Sequence, residues 1–195
     1  MSVILGYKSE NKIYLAADNR VTDKKDGSYS DKYRKLIKIN NHLAMVCSGS
    51  RLAQDKFADF IKGKQTKEWT IDDLKFYLNI LCYSLNLYNS PAIDNMGVYF
   101  IAGGLNENNQ MELWSTSWNH KKYSGKSVEM ALYPPEDVDM QTCCCIYIRN
   151  IHESFSNFME KTIKEISQKG KMVSLSGDIW TYDIHTDKSS VKHFK

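Results

Sequence analysis

The 195-residue chain has few prolines, no long apolar run and no paired metal-ligand spacing, and each shortage removes a class of protein. No apolar stretch approaches the ~20 residues that cross a bilayer, so no membrane partner is expected. Lys8, Glu10 and Lys12 interrupt the N-terminal segment before it can resemble a secretory signal, which makes the cytoplasm the expected location. Five cysteines, Cys47, Cys82 and Cys143-Cys144-Cys145, lack the CxxC spacing of zinc or redox sites, and buried, reduced thiols are expected. The five histidines show no HExxH pattern, so neither a metal nor a cofactor is expected. A formal net charge of +3 with scattered lysines gives no basic stripe interleaved with aromatics, and no nucleic-acid partner is expected. Ser48-Gly49-Ser50 lacks the Gly-x-Ser-x-Gly elbow of α/β-hydrolases.

What is present is an ordinary globular composition, 42% hydrophobic and 25% charged, without an internal repeat, low-complexity tract or linker. One domain over residues 1–195 is the expectation, large enough to bury roughly 70% of the surface its unfolded chain exposes. Residues 2–8 and 12–18 read as a hairpin across Ser9-Glu10-Asn11, and both runs are nearly apolar on both faces. A strand covered on each side has that pattern, whereas a surface hairpin alternates. Residues 22–31 read as a loop, and residues 34–40 with 43–48 as a second hairpin.

Two helices follow. Ser50 stands where it can cap the first, with Leu52, Phe57, Phe60 and Ile61 along one stripe; Thr70 caps the second, whose buried face is Ile71, Leu74, Leu78, Leu81 and Leu85 until Ser90-Pro91 stops it. Strand patterns return at 97–104, 110–116 and 123–131 as a meander that Pro134-Pro135 breaks. A long amphipathic stretch then carries Ile151, Phe155, Phe158, Met159, Thr162, Ile163 and Ile166 at helical spacing up to Gly170, and a last strand spans 178–185. Doubly apolar strands and amphipathic helices are satisfied together by two mostly antiparallel sheets packed face to face with helices outside them, a four-layer α/β/β/α sandwich.

The chemistry sits at strand ends. Ser2, small enough for initiator Met1 to be removed before it, would join a hydroxyl nucleophile and a free α-amine on one residue. Such an amine has a reference pKa of about 7.7–8.0 and can accept the hydroxyl proton near neutral pH. Ala16-Ala17-Asp18-Asn19-Arg20 ends the second strand, Thr22 follows, Lys35-Leu36-Ile37 opens the next hairpin, and Ser48-Gly49 closes it. Taken singly, Asp18 and Arg20 read better as a strand-end ion pair, and Lys35 as a solvated edge residue.

In this order and spacing the segments resemble the proteasome β-type N-terminal nucleophile (Ntn) hydrolases. Ser174-Leu175-Ser176-Gly177-Asp178-Ile179-Trp180 resembles the last-strand entry of the simpler bacterial peptidase that docks on a ring-shaped unfoldase. The resemblance implies the Ntn-hydrolase fold and cleavage of peptide or other amide bonds. It implies Ser2 as nucleophile, Lys35 as a positive charge beside the hydroxyl, Asp18 as the group orienting Lys35, and the Gly49 N–H as oxyanion donor. Substrate contacts are implied at Val21, Thr22, Tyr33, Ile37, Cys47, Arg51 and Asp55, with Asp55 also placed to pair with Arg51 at i, i+4. Arg20, Ser174 and Ser176 are implied as supports. Implied partners are further copies in a homo-oligomeric ring and an ATP-dependent unfoldase.

Two positions depart from the family pattern. Where members carry a Gly-Ser-Gly turn whose serine bonds near the nucleophile's amine, this chain has Ala131-Leu132-Tyr133-Pro134-Pro135. Where they carry an acidic residue before the final Ser-Gly, it has Val173. Two functions therefore stay open: an Ntn hydrolase, or a non-catalytic proteasome-like assembly or ligand-binding protein.

Overall fold

The computed structural model describes residues 2–23, 26–87, 97–119, 122–151 and 157–195. Strands β1 (Ile4–Lys8) and β2 (Lys12–Asp18) form the first hairpin, with Ile4 opposite Ala17 and Tyr7 opposite Tyr14. Their alternation sorts residues between two cores. Ile4, Ile13, Leu15 and Ala17 face one side, while Val3, Leu5, Tyr14 and Ala16 face the other. Every one of these side chains is buried, as the doubly apolar pattern requires.

Strands β3 (Val21–Thr22) and β4 (Tyr29–Ser30) pair as a short ribbon inside the segment read as a loop. β5 (Leu36–Lys38) and β6 (Leu43–Gly49) form the next hairpin, and β6 repeats the two-sided logic of β2. Ala44 and Val46 face the core shared with β2, whereas Leu43, Met45 and Cys47 face the helices α1 (Arg51–Lys62) and α2 (Ile71–Leu87). The α1 stripe runs through Ala53, Gln54, Phe57 and Ile61; Leu52, assigned to it from sequence, is 43% exposed. Ser50 precedes α1 in extended backbone, but its side chain makes no capping bond; the Gln54 N–H bonds to the Ser50 carbonyl instead. Thr70 and Asp73 do form a reciprocal cap on α2, Thr70 N donating to Asp73 Oδ2 at 2.8 Å. The expected helix stop at Ser90-Pro91, and the side chain of Leu85, lie outside the described residues.

β7 (Val98–Leu105), β8 (Met111–Asn119) and β9 (Lys122–Val128) extend the second sheet in the order β5-β6-β7-β8-β9. The single strand expected over 123–131 is instead two. The chain leaves β9 at Glu129, and β10 (Met130–Tyr133) pairs with β1 in the other sheet. An edge strand can turn this corner because only one of its sides is already hydrogen-bonded. The amphipathic stretch lies on helices α3 (Met140–Ile151) and α4 (Phe158–Ser167); Phe155 lies outside the described residues. Within α3, Cys143 is buried with its thiol pushed up to about 11, but Cys145 is exposed, so the expected burial of all five thiols fails at the outer turn.

β11 (Gly177–Asp183) and β12 (Lys188–Phe194) complete a sheet in the order β10-β1-β2-β11-β12. β12 went unseen in the sequence because an exposed edge strand, Lys-Ser-Ser-Val-Lys-His-Phe, has no apolar alternation to betray it. Among the described residues every strand pairing is antiparallel. One core lies between the sheets, a second under α1 and α2, and a third under α3 and α4, which makes the α/β/β/α sandwich. The sheets approach closely at Gly6, where an added Cβ would stand 2.5 Å from Ile101. No helix among the described residues is long and apolar enough to cross a membrane.

Candidate active site at the end of β2

Asp18 ends β2 with no exposed surface, and an isolated carboxylate there would carry a large desolvation cost. Four donors offset it. Oδ1 accepts from the Val3 N–H at 3.1 Å and from Lys35 Nζ at 3.1 Å; Oδ2 accepts from the Arg20 N–H at 2.9 Å and the Ser174 N–H at 3.2 Å. Lys35 enters from the segment before β5, where its carbonyl takes the Cys47 N–H, and is 2% exposed. Burial pushes its ammonium below the ordinary lysine value, and Asp18 opposes that shift.

Ser2 stands beside this pair. Its hydroxyl donates to the Arg20 carbonyl at 3.0 Å, and the same carbonyl accepts from Lys35 Nζ. Two donors on one oxygen can be no further apart than those two bonds laid end to end, so the Ser2 hydroxyl and the Lys35 ammonium are neighbours. Three strand ends and one loop thus bring Ser2, Asp18, Lys35 and the Arg20 carbonyl to one place.

Arg20 itself points away from the hydroxyl. Its guanidinium forks onto Asp31 at 2.7 and 2.8 Å, reaches the Lys171 carbonyl at 2.6 Å, and lies 4.0 Å over the Tyr29 ring. Those bonds tie the β3–β4 ribbon to the segment entering β11. There Ser174 Oγ and Ser176 Oγ are 2.8 Å apart, and the Ser176 carbonyl takes the Asn19 N–H. Arg20, Asp31, Ser174 and Ser176 line an open cleft of about 360 Å³.

Gly49 closes β6 at φ 99°, a left-handed conformation that favours glycine, and an added Cβ would fall 1.9 Å from the Gly97 carbonyl oxygen. The substrate-contact candidates divide. Tyr33, Asp55 and Arg51 are joined: the Tyr33 hydroxyl donates to Asp55 Oδ1 at 2.7 Å, Arg51 Nε meets Asp55 Oδ2 at 3.4 Å, and its guanidinium is 5.3 Å from the Tyr33 ring. Burial and the Asp55 carboxylate push the Tyr33 hydroxyl well above its ordinary value. Cys47 is fully buried on the face of β6 toward α1, and burial raises its thiol too. Val21 and Thr22 are half-buried, and one edge of their strand is taken by β4.

Two members of the cluster were missed in the sequence. Asp31 is the counter-ion of Arg20. Ser48 reaches across from the second sheet, its hydroxyl donating to the Ser2 carbonyl at 2.9 Å while accepting from the Ser2 nitrogen at 3.3 Å. Only the Ser48-Gly49 doublet signalled it, and nothing local said which way the serine would face. On the other flank, β10 ends at Tyr133, opposite Ile4, and Pro134 and the buried Pro135 follow it. Proline has no N–H to offer there.

Away from the cluster, a larger open cleft of about 670 Å³ between α3 and α4 is lined by Asp139, Cys145 and the Arg149–Glu165 ion pair. It has no hydroxyl paired with a buried lysine. A family model described as "Proteasome subunit" matches residues 2–130, the span from Ser2 to the start of β10. No curated protein matches the chain.

Proposed function

The chain belongs to the proteasome subunit family, and from that premise we propose that it is an Ntn hydrolase cleaving peptide or other amide bonds, with Ser2 as nucleophile once Met1 is removed. The observation carrying this reading is the shared Arg20 carbonyl, which keeps the Ser2 hydroxyl beside a buried lysine that is itself held by Asp18.

Ser2 Oγ attacks the carbonyl carbon while its proton passes to the α-amine, directly or through one water. Lys35, charged against Asp18, lowers the energy of the forming alkoxide. The oxyanion takes the Gly49 N–H, a donor type whose loss costs about 100- to 1,000-fold in turnover. The amine returns the proton to the leaving nitrogen, and the acyl-serine ester is then hydrolysed by water. Val21, Thr22, Tyr33 and Arg51 are the proposed substrate contacts, Cys47 being fully buried toward α1, and the Tyr33–Asp55–Arg51 network sets their polarity. Further copies in a ring and an ATP-driven unfoldase are the proposed partners, in the cytoplasm.

A second reading, a non-catalytic assembly or ligand-binding protein, is favoured by one observation. Pro134 and the buried Pro135 follow β10 where the resembling enzymes carry a serine-bearing turn. Intact mass of protein from its native host, before and after a β-lactone probe, separates the two. Loss of Met1 followed by one adduct on Ser2 is expected. Retained Met1, or a processed Ser2 that takes no adduct, favours the non-catalytic reading.

A further inference from the structure

A serine hydroxyl has one proton, and Ser48 spends it on the Ser2 carbonyl at 2.9 Å. Toward the Ser2 nitrogen, 3.3 Å away, its oxygen is therefore an acceptor only. On a free α-amine such a contact holds an N–H and leaves the lone pair unused. It also restricts rotation about the bond to Cα, so the lone pair is confined to the positions that the held N–H leaves. Ser48 is 1% exposed and comes from the second sheet, so the hold does not depend on the proline flank in the first.

We infer that Ser48 is the positioning residue that orients the Ser2 amine for proton transfer, an inference that rests on the hydrolase reading above. The charged groups around the nitrogen are Asp18 at the end of β2, Arg20 and its partner Asp31, and Lys35 before β5. Tyr99, opposite Ser48 on β7, and Tyr133, opposite Ile4 on β10, are the nearby titratable hydroxyls.

The test compares processed wild type, Ser48→Ala and Ser48→Thr, each checked by intact mass and thermal melting, for the rate of Ser2 acylation by a β-lactone across pH. An acceptor on an ammonium N–H favours the protonated amine, so removing it lowers the amine's pKa. Ser48→Ala is expected to acylate roughly tenfold more slowly, as a freely rotating amine must be reoriented. Its acid limb is expected to move to lower pH by roughly half a unit to one unit. Ser48→Thr, which keeps the hydroxyl, is expected to restore both; if it fails to fold, the acid limb of Ser48→Ala decides. All surrounding charges are unchanged in these variants, so a limb that moves only with the hydroxyl reports the nitrogen. A slower rate with an unmoved limb means a merely structural serine and overturns the inference, as does an unchanged rate. Absence of acylation in processed wild type itself is a different result, for it removes the hydrolase reading and the inference with it.

Discussion

Two clusters in this protein use the same three kinds of group, a carboxylate, a cation and a hydroxyl, and differ mainly in burial. At the end of β2 they are Asp18, Lys35 and Ser2; beside α1 they are Asp55, Arg51 and Tyr33. The side chains of Asp18 and Lys35 are 0% and 2% exposed, those of Asp55 and Arg51 47% and 65%. Water can replace any contact in the second cluster, so its members can turn toward whatever ligand arrives. In the first, nothing replaces a lost partner, so geometry is held by the cost of breaking it. Burial is what makes the first cluster a preorganised site and leaves the second an adaptable rim.

Asp18→Ala attacks that contrast where the effect is largest. It strands Lys35 and three backbone N–H groups, and a loss of about 3–5 kcal/mol in urea unfolding is expected. A loss below about 1 kcal/mol would place both clusters in the same class. Gly49→Ala comes next: left-handed backbone alone costs a non-glycine residue about 1–3 kcal/mol, and the Gly97 carbonyl stands in the way of the new methyl. The proposed activity is expected to fall by about 100-fold or more, because the strand end that presents the N–H must move; wild-type turnover in this variant would show that the added methyl does not displace that strand end. Asp55→Asn on the exposed cluster is expected to change stability by no more than about 1 kcal/mol, while altering which peptide side chains are cleaved fastest.

The smallest effect concerns acid. The Arg20 guanidinium holds the Asp31 carboxyl below its ordinary value of 3.8. A carboxylate lowered on folding contributes stability above its unfolded pKa and loses it as pH falls through the folded one. Asp31→Asn is therefore expected to be less stable than wild type at neutral pH, with the gap narrowing below about pH 4. Thermal melts at pH 7 and pH 3 measure it; a gap that stays constant would mean that the Asp31 charge adds nothing.

Much of the fold was legible because its signals are local. β2 and β6 are apolar at every position along most of their length, which only a strand covered on both faces tolerates, and the helical stripes of α2 and α4 follow the same rule at their own period. The Asp18–Lys35 pair was legible only through the family resemblance, since the residues themselves suggested an Asp18–Arg20 pair and a solvated Lys35. β12 and the crossing at Glu129 were not, since edge strands need no buried face and a strand changes sheets without any compositional mark. Leu52 misled for the complementary reason: a stripe of apolar residues does not say where its boundary with solvent falls.

What the chain determined by itself is which residues face inward on each element, for that follows from a period of two in strands and 3.6 in helices acting over a few residues. Only the packing of one sheet on the other decided that Ser48 meets Ser2, 46 positions apart. The physical reason is that alternation sets the face of a side chain, while its partner across a sandwich depends on the offset between two sheets, a quantity summed over the whole core and written at no single position.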